Sequence, residues 1–217
     1  TLWLNIGDSY YNYRPGKGQG LVKQTVSKTK QDLPDKCARR GNKLKGLKEK
    51  DLIGIPWMLA FALRADGWYL RQDIIWNKPN PMPESVRDRC TKAHEYIFLL
   101  SKSQNYYFDV DAIKEPTRRK RSVWNVQTKP YKGAHFAAYP PELIEPCIKA
   151  GSDEGDIVLD PFMGSGTTAA VSKSLGRDYI GCELHKDYGE LIQKRVEQYH
   201  PVEEVSQQSG VSILDLI

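Results

Sequence analysis

The run Asp160-Pro161-Phe162-Met163-Gly164-Ser165-Gly166-Thr167-Thr168 gathers residue types that can hold a ligand. Gly164 and Gly166 allow a tight turn and close approach of a ligand to the backbone. A helix starting at Thr167 would present unpaired N–H groups, which hold a carboxylate or phosphate. Glu183 lies roughly 20 residues beyond the turn, the spacing of an acid that accepts from ribose hydroxyls. A P-loop needs Lys before the Thr, and Gly166 stands there instead. A nicotinamide-type G-x-G-x-x-G lacks its third glycine. The bland alternative is a strand-to-helix turn with no ligand.

The elements that must position these residues are short. Ile157 to Leu159 is an apolar run that reads as a buried strand ending at Asp160. Thr167 to Leu175 reads as a helix closed by Gly176. Tyr179 to Cys182 reads as a second strand ending at Glu183. The unit is strand, turn, helix, strand, with an acid at each strand tip.

The nonapeptide 160–168, with Gly181-Cys182-Glu183-Leu184 downstream, resembles the S-adenosylmethionine motif of the DNA amino-methyltransferases, which methylate N4 of cytosine or N6 of adenine. The resemblance implies that Asp160, Phe162, Gly164, Ser165, Gly166, Thr167 and Glu183 lie at an S-adenosylmethionine site. His135-Phe136-Ala137-Ala138-Tyr139-Pro140-Pro141-Glu142 resembles the segment that closes over this cofactor, which adds His135, Phe136 and Ala137. Pro141 suits the start of a helix running over Leu143 to Ala150. Asn5, near the end of a first strand at residues 1–7, and Asp8, in the turn after it, are weaker candidates near the cofactor; the alternative is a strand end and its turn.

The chain of 217 residues is long enough for one domain with a good core. No apolar run is long enough to span a membrane as a helix. Cys37, Cys90, Cys147 and Cys182 form no C-x-x-C pair, which argues against zinc and against a disulfide framework and fits a reducing cytosol. The net charge is +5, but residues 1–50 carry 12 Lys/Arg against 4 Asp/Glu, and the remainder 20 against 23. This concentration of positive charge points to a polyanionic partner. Residues 10–50 read as a long basic loop interleaved with Tyr10, Tyr11 and Tyr13, suited to a DNA backbone. A solvated charge run is the bland alternative.

Between these segments, Leu52 to Ala65 reads as an amphipathic helix with Ile55, Leu59, Ala62 and Leu63 inward. Trp68 to Trp76, His94 to Lys102 and Asn105 to Asp109 read as strands. His94 has the side chain of a general base, but a packed strand-end histidine is the better reading. The proline-rich stretch 76–89 resembles the family's loop beside the target base, which implies Lys78, Asn80, Arg87 and Arg89 as DNA contacts. Glu115 to Lys132 reads as irregular and basic, through Arg118 to Arg121. Asp187 to Tyr199 reads as a helix with Tyr188, Leu191, Ile192, Val196 and Tyr199 inward.

These readings combine into an α/β chain with a mostly parallel sheet and helices on both faces. A methyltransferase domain covers residues 1–200, with the basic loop inserted, and residues 201–217 form a tail. The resemblance implies transfer to an exocyclic amino nitrogen of a flipped base in duplex DNA, with cytosine N4 favoured over adenine N6. The family's Ser/Asp/Asn-Pro-Pro-aromatic motif does not occur here: Tyr139-Pro140-Pro141-Glu142 has the wrong flanks. The family's motif order places it ahead of Thr1. The expectation is therefore a chain that starts mid-domain, contributes no catalytic residue and is inactive alone. The rival readings are an inactive DNA-binding remnant and a methyltransferase of RNA or a small molecule.

Overall fold

The structure, a computed structural model, describes residues 1–12, 46–128, 139–186 and 188–199. The elements in chain order are β1 (Leu2–Asn5), α1 (Ile55–Ala65), β2 (Tyr69–Asn77), β3 (His94–Ser101), β4 (Val123–Asn125), α2 (Pro141–Gly151), β5 (Ile157–Asp160), α3 (Thr167–Ser174), β6 (Asp178–Gly181) and α4 (Tyr188–Gln198).

Four strands form one sheet in the order β1-β3-β2-β4, and β5 pairs with β6. β3 runs antiparallel to both β1 and β2, while β4 runs parallel to β2, and β6 parallel to β5. The α/β class holds, but pairing among the described residues is mixed rather than mostly parallel. The reason lies in the connections. Parallel neighbours need a crossover, and β2 passes to β3 through the loop 78–93 with no helix in between.

β3 carries apolar residues on both faces and divides the core. Phe98 and Leu100 are fully buried against Trp57, Ala60 and Leu63 of α1. Ile97 points the other way, into a cluster with Ile74, Trp76, Trp124, Leu143 and Cys147 that brings in α2. Helices therefore cover both faces of this sheet. A register shift between Leu70 and Gln72 makes this possible. Without it Leu70 and Ile74 would share a face; the extra residue turns Leu70 toward α1 and Ile74 and Trp76 toward α2. Truncation of Phe98 would cost roughly 3–5 kcal/mol.

The inward stripe of α1 is Pro56, Trp57, Ala60 and Leu63, with Ala62 exposed. The helix is turned from the expected face because the Trp57 indole meets Phe98 edge-on at 4.9 Å. Residues 105–109 form no strand. β3 already has β1 and β2 beside it, so the Asp109 N–H donates to Ala150 O at the end of α2, and Phe108 stacks on Trp3. β4 interrupts the stretch expected to be irregular; three residues are too short to show alternation in the sequence, and the buried Trp124 anchors them.

Among the described residues no helix is long and apolar enough to cross a membrane, and no His/Cys/Asp/Glu group is arranged to hold a metal.

Candidate active site

β5 and β6 end side by side, Asp160 opposite Gly181. Beyond them the chain is tied across: Cys182 N–H donates to Asp160 O at 3.0 Å and Met163 N–H to Cys182 O at 2.9 Å. Met163 lies over Gly181, where an added Cβ would come within 2.4 Å of its methyl carbon. Gly164 and Gly166 both have positive φ, +54° and +83°. Gly166 is the N-cap of α3, and among the described residues no side chain caps that helix. Its first N–H groups are thus free of a competing side-chain acceptor.

The turn is shaped from beneath by Asp160. One carboxylate oxygen accepts from Phe162 N–H at 2.9 Å, and the other accepts from the hydroxyls of Thr168 and Tyr139. Burial, then the Asp160 charge, push the Tyr139 phenol well above its ordinary pKa, so it stays a neutral donor. Glu183 braces the turn from the other strand. It accepts from Gly164 N–H at 2.8 Å and from His185 N–H at 2.7 Å.

A cavity of about 510 Å³ opens above, lined by Tyr139, Pro161, Phe162, Met163, Gly164, Ser165, Thr167, Cys182, Glu183 and Leu184. That volume fits a ligand of cofactor size. Phe162 and Leu184 stand 87% and 98% exposed at its mouth, two open apolar faces among the described residues.

Of the residues expected here, Phe162, Gly164, Ser165, Thr167 and Glu183 line the cavity. Asp160 does not: its carboxylate is turned inward. Gly166 faces α4 instead, where an added Cβ would meet Ile192 Cα at 3.0 Å. His135, Phe136 and Ala137 lie outside the described residues. Tyr139, Pro161, Met163, Cys182 and Leu184 were not expected as lining residues. Adjacency in sequence to the turn and to Glu183 would have found four of them. Tyr139 arrives from the start of α2, and only the tertiary contact reveals it.

The early candidates resolve into structure. Asn5 donates to Glu95 and to Tyr96 O, and Asp8 accepts from Gly54 and Ile55 N–H, capping α1 from a distance in sequence. His94 meets the Tyr96 ring edge-on. Pro140 and Pro141 form the N-terminus of α2, so Tyr139-Pro140-Pro141 begins a helix.

At the end of β2, the loop expected to meet DNA is held by its own polar residues. Lys78 pairs with Glu95 and lies over the Trp76 ring. Asn80 exchanges hydrogen bonds with the Thr128 backbone at 2.9 and 3.0 Å. Arg89 pairs with Glu84 and stacks on Tyr10 at 4.0 Å. Arg87 is exposed. Lys50 pairs with Asp88 at 2.6 Å. Residues 9–11 and 50–53 are hydrogen-bonded to each other, so both ends of the basic segment stand beside this loop. Residues 13–45, with Tyr13, Lys43 and Lys45, lie outside the described residues, as does the tail 201–217.

A family model described as DNA methylase (N6_N4_Mtase) matches residues 1–194. Type II methyltransferase M.Cfr9I of Citrobacter freundii is 50% identical over 202 residues, covering 91% of this chain and 65% of that protein. Type II methyltransferase M.SmaI of Serratia marcescens is 50% identical over 208 residues, covering 90% of this chain and 67% of that protein. The crystal structure of an M1.HpyAVI-SAM complex is similar with a TM-score of 0.54 and 32% identity, over 65% of this chain and 69% of that one. This chain spans 65% of the length of M.Cfr9I.

Proposed function

This chain belongs to the DNA methylase family, and from that premise we propose that it forms the S-adenosylmethionine site of an enzyme that methylates an exocyclic amino nitrogen in duplex DNA. Cytosine N4 is favoured over adenine N6, on the family resemblance of residues 76–102. The observation that carries the cofactor reading is the uncapped N-terminus of α3 opening into a 510 Å³ cavity beside Glu183.

The residues fit the cofactor. The N–H groups at Thr167 suit its carboxylate. Phe162 and Leu184 offer apolar faces to its adenine ring. Glu183 lines the cavity and is a charged acceptor suited to ribose hydroxyls. When bound, S-adenosylmethionine supplies an electrophilic methyl group. The chain's own work is to bind, orient and exclude water, which makes transfer effectively intramolecular once the base has left the stack.

Arg87 and the basic segment supply phosphate contacts that position the duplex. Lys78, Asn80 and Arg89 shape the loop through their protein partners. Arg118 to Arg121 precede β4, toward the opposite end of β2 from that loop, so we leave them out of the interface. No Ser/Asp/Asn-Pro-Pro-aromatic run occurs in the 217 residues, and we assign no residue of this chain to holding the target amino group.

Four measurements test this reading. Titration calorimetry with S-adenosylmethionine should show one site; absence of binding refutes the cofactor reading. A tritiated-methyl transfer assay should show no transfer by these residues alone. Robust transfer would return Tyr139-Pro140-Pro141 to consideration as catalytic. DNA from cells expressing the protein in its natural context, digested to nucleosides, should contain N4-methylcytosine; N6-methyladenine would reassign the base. Stronger retention of RNA than of duplex DNA in a mobility-shift assay would favour the RNA reading.

A further inference from the structure

α4 contributes no lining residue to the cavity, yet it touches the glycine turn at two points. Arg195 Nη1 donates to Ser165 Oγ at 2.6 Å. Ile192 stands against Gly166, so close that a Cβ there would lie 3.0 Å from Ile192 Cα and 3.1 Å from its side chain. Ser165 is buried and lines the cavity from below. The contacts span 30 residues of sequence on one side and 26 on the other, so no local motif records them.

We propose that Arg195 is a positioning residue for the cofactor turn and that α4 is its backstop. The proposal rests on the reading of the cavity as an S-adenosylmethionine site. A serine hydroxyl has one proton and two acceptor positions. With its oxygen engaged by a guanidinium, Ser165 keeps that proton for an acceptor in the cavity. The guanidinium also polarises the hydroxyl, making it a stronger donor to a carboxylate. Ile192 blocks the turn from sinking away from the ligand. Together they hold Ser165 and the free N–H groups of α3 in place before the ligand arrives, so less order has to be created on binding.

Arg195 also reaches Tyr139 electrically: its charge opposes the upward shift of the phenol's pKa that burial and Asp160 produce. The same cation thus acts on both Ser165 and the phenol bridging Asp160 to Thr168.

The test uses the 217-residue chain with Arg195→Ala, Arg195→Lys, Ser165→Ala and the double Ala variant. Two readouts are taken: amide hydrogen exchange over residues 163–168 without ligand, and the dissociation constant of S-adenosylmethionine by calorimetry. Arg195→Ala should accelerate exchange in the turn and weaken binding about tenfold, the loss of one charge-assisted hydrogen bond. Arg195→Lys, which still has a donor, should recover part of both. The double variant should bind no more weakly than Ser165→Ala, because Arg195 acts through Ser165. A lower melting temperature with unchanged exchange in the turn and unchanged binding would make Arg195 a packing residue and overturn the proposal. Should Arg195→Ala fail to fold, Arg195→Lys and Ser165→Ala carry both readouts. If the parent chain does not bind S-adenosylmethionine, the cofactor reading fails; unchanged turn exchange in the variants would separately overturn the backstop.

Discussion

Glu183→Ala separates a bracing role from a binding role at this site. The carboxylate accepts from Gly164 N–H at 2.8 Å and His185 N–H at 2.7 Å. On the proposed reading the ribose hydroxyls also donate to this carboxylate, which has about four acceptor positions. A hydrogen bond to a charged group contributes roughly 1.5–3 kcal/mol. Two such bonds on one partly exposed carboxylate would not add in full. The expected loss is therefore that of one, a dissociation constant for S-adenosylmethionine raised about 10- to 150-fold.

The same substitution removes the acceptor for two backbone donors. His185 is exposed, and water can replace its partner, whereas the Gly164 contact is partly buried. The stability cost is about 1 kcal/mol, or roughly 2–4 °C in melting temperature for a chain of this size. Glu183→Gln separates the two losses. Its amide oxygen can still accept from Gly164, but the charge is gone. The Gln variant should melt near the parent and still bind several-fold more weakly. Calorimetry and thermal melting on all three proteins provide the comparison. A folded Glu183→Ala protein with unchanged affinity would refute the reasoning and leave Glu183 as a brace alone.

Gly166→Ala places a side chain at φ +83° and 3.0 Å from the Ile192 backbone; it should cost about 2 kcal/mol and lower the melting temperature by roughly 4–8 °C, measured by calorimetric scanning. Arg87→Gln should weaken binding to all duplex sequences alike and reduce the slope of log affinity against log salt by about 1, while joint neutralisation of Lys43, Lys45, Lys48 and Lys50 should flatten it further; an unaltered slope in both would return these cations to solvent. Hydrogen bonding to Arg89 and to Lys50 holds the Glu84 and Asp88 carboxyls below their ordinary values. A depressed carboxylate stabilises above its unfolded pKa and loses that contribution as pH falls through its folded pKa, so the Asp88 tie to Lys50 and the Glu84–Arg89 tie within loop 84–90 should weaken in acid. Titration by NMR should show both carboxyls moving up in Arg89→Ala and Lys50→Ala respectively.

The glycine turn was readable because everything that makes it is local. Two glycines, an apolar strand and a second acid about 20 residues on are a pattern that backbone geometry demands within one strand–turn–helix–strand unit. What the sequence conceals is the division of labour among these residues. Asp160 and Glu183 look alike from their spacing, each an acid at a strand tip. Asp160 is drawn inward by Thr168 and Tyr139, and Tyr139 comes from 21 residues upstream. Glu183 accepts from two backbone donors and lines the cavity. The basic loop obeys the same logic. Lys78 and Arg89 read as free cations because their partners, Glu95 and Glu84, become neighbours only when β2 folds back on β3 and the loop closes. Charge counts along the chain therefore overstate how much positive charge is free for a polyanion, and Arg87, exposed beside three engaged neighbours, becomes the residue on which the proposed interface is best tested. The mixed sheet was missed for a related reason. Alternation identifies strands, whereas direction depends on connections, and the loop 78–93 that carries the proposed DNA contacts is itself the short return that makes β2 and β3 antiparallel.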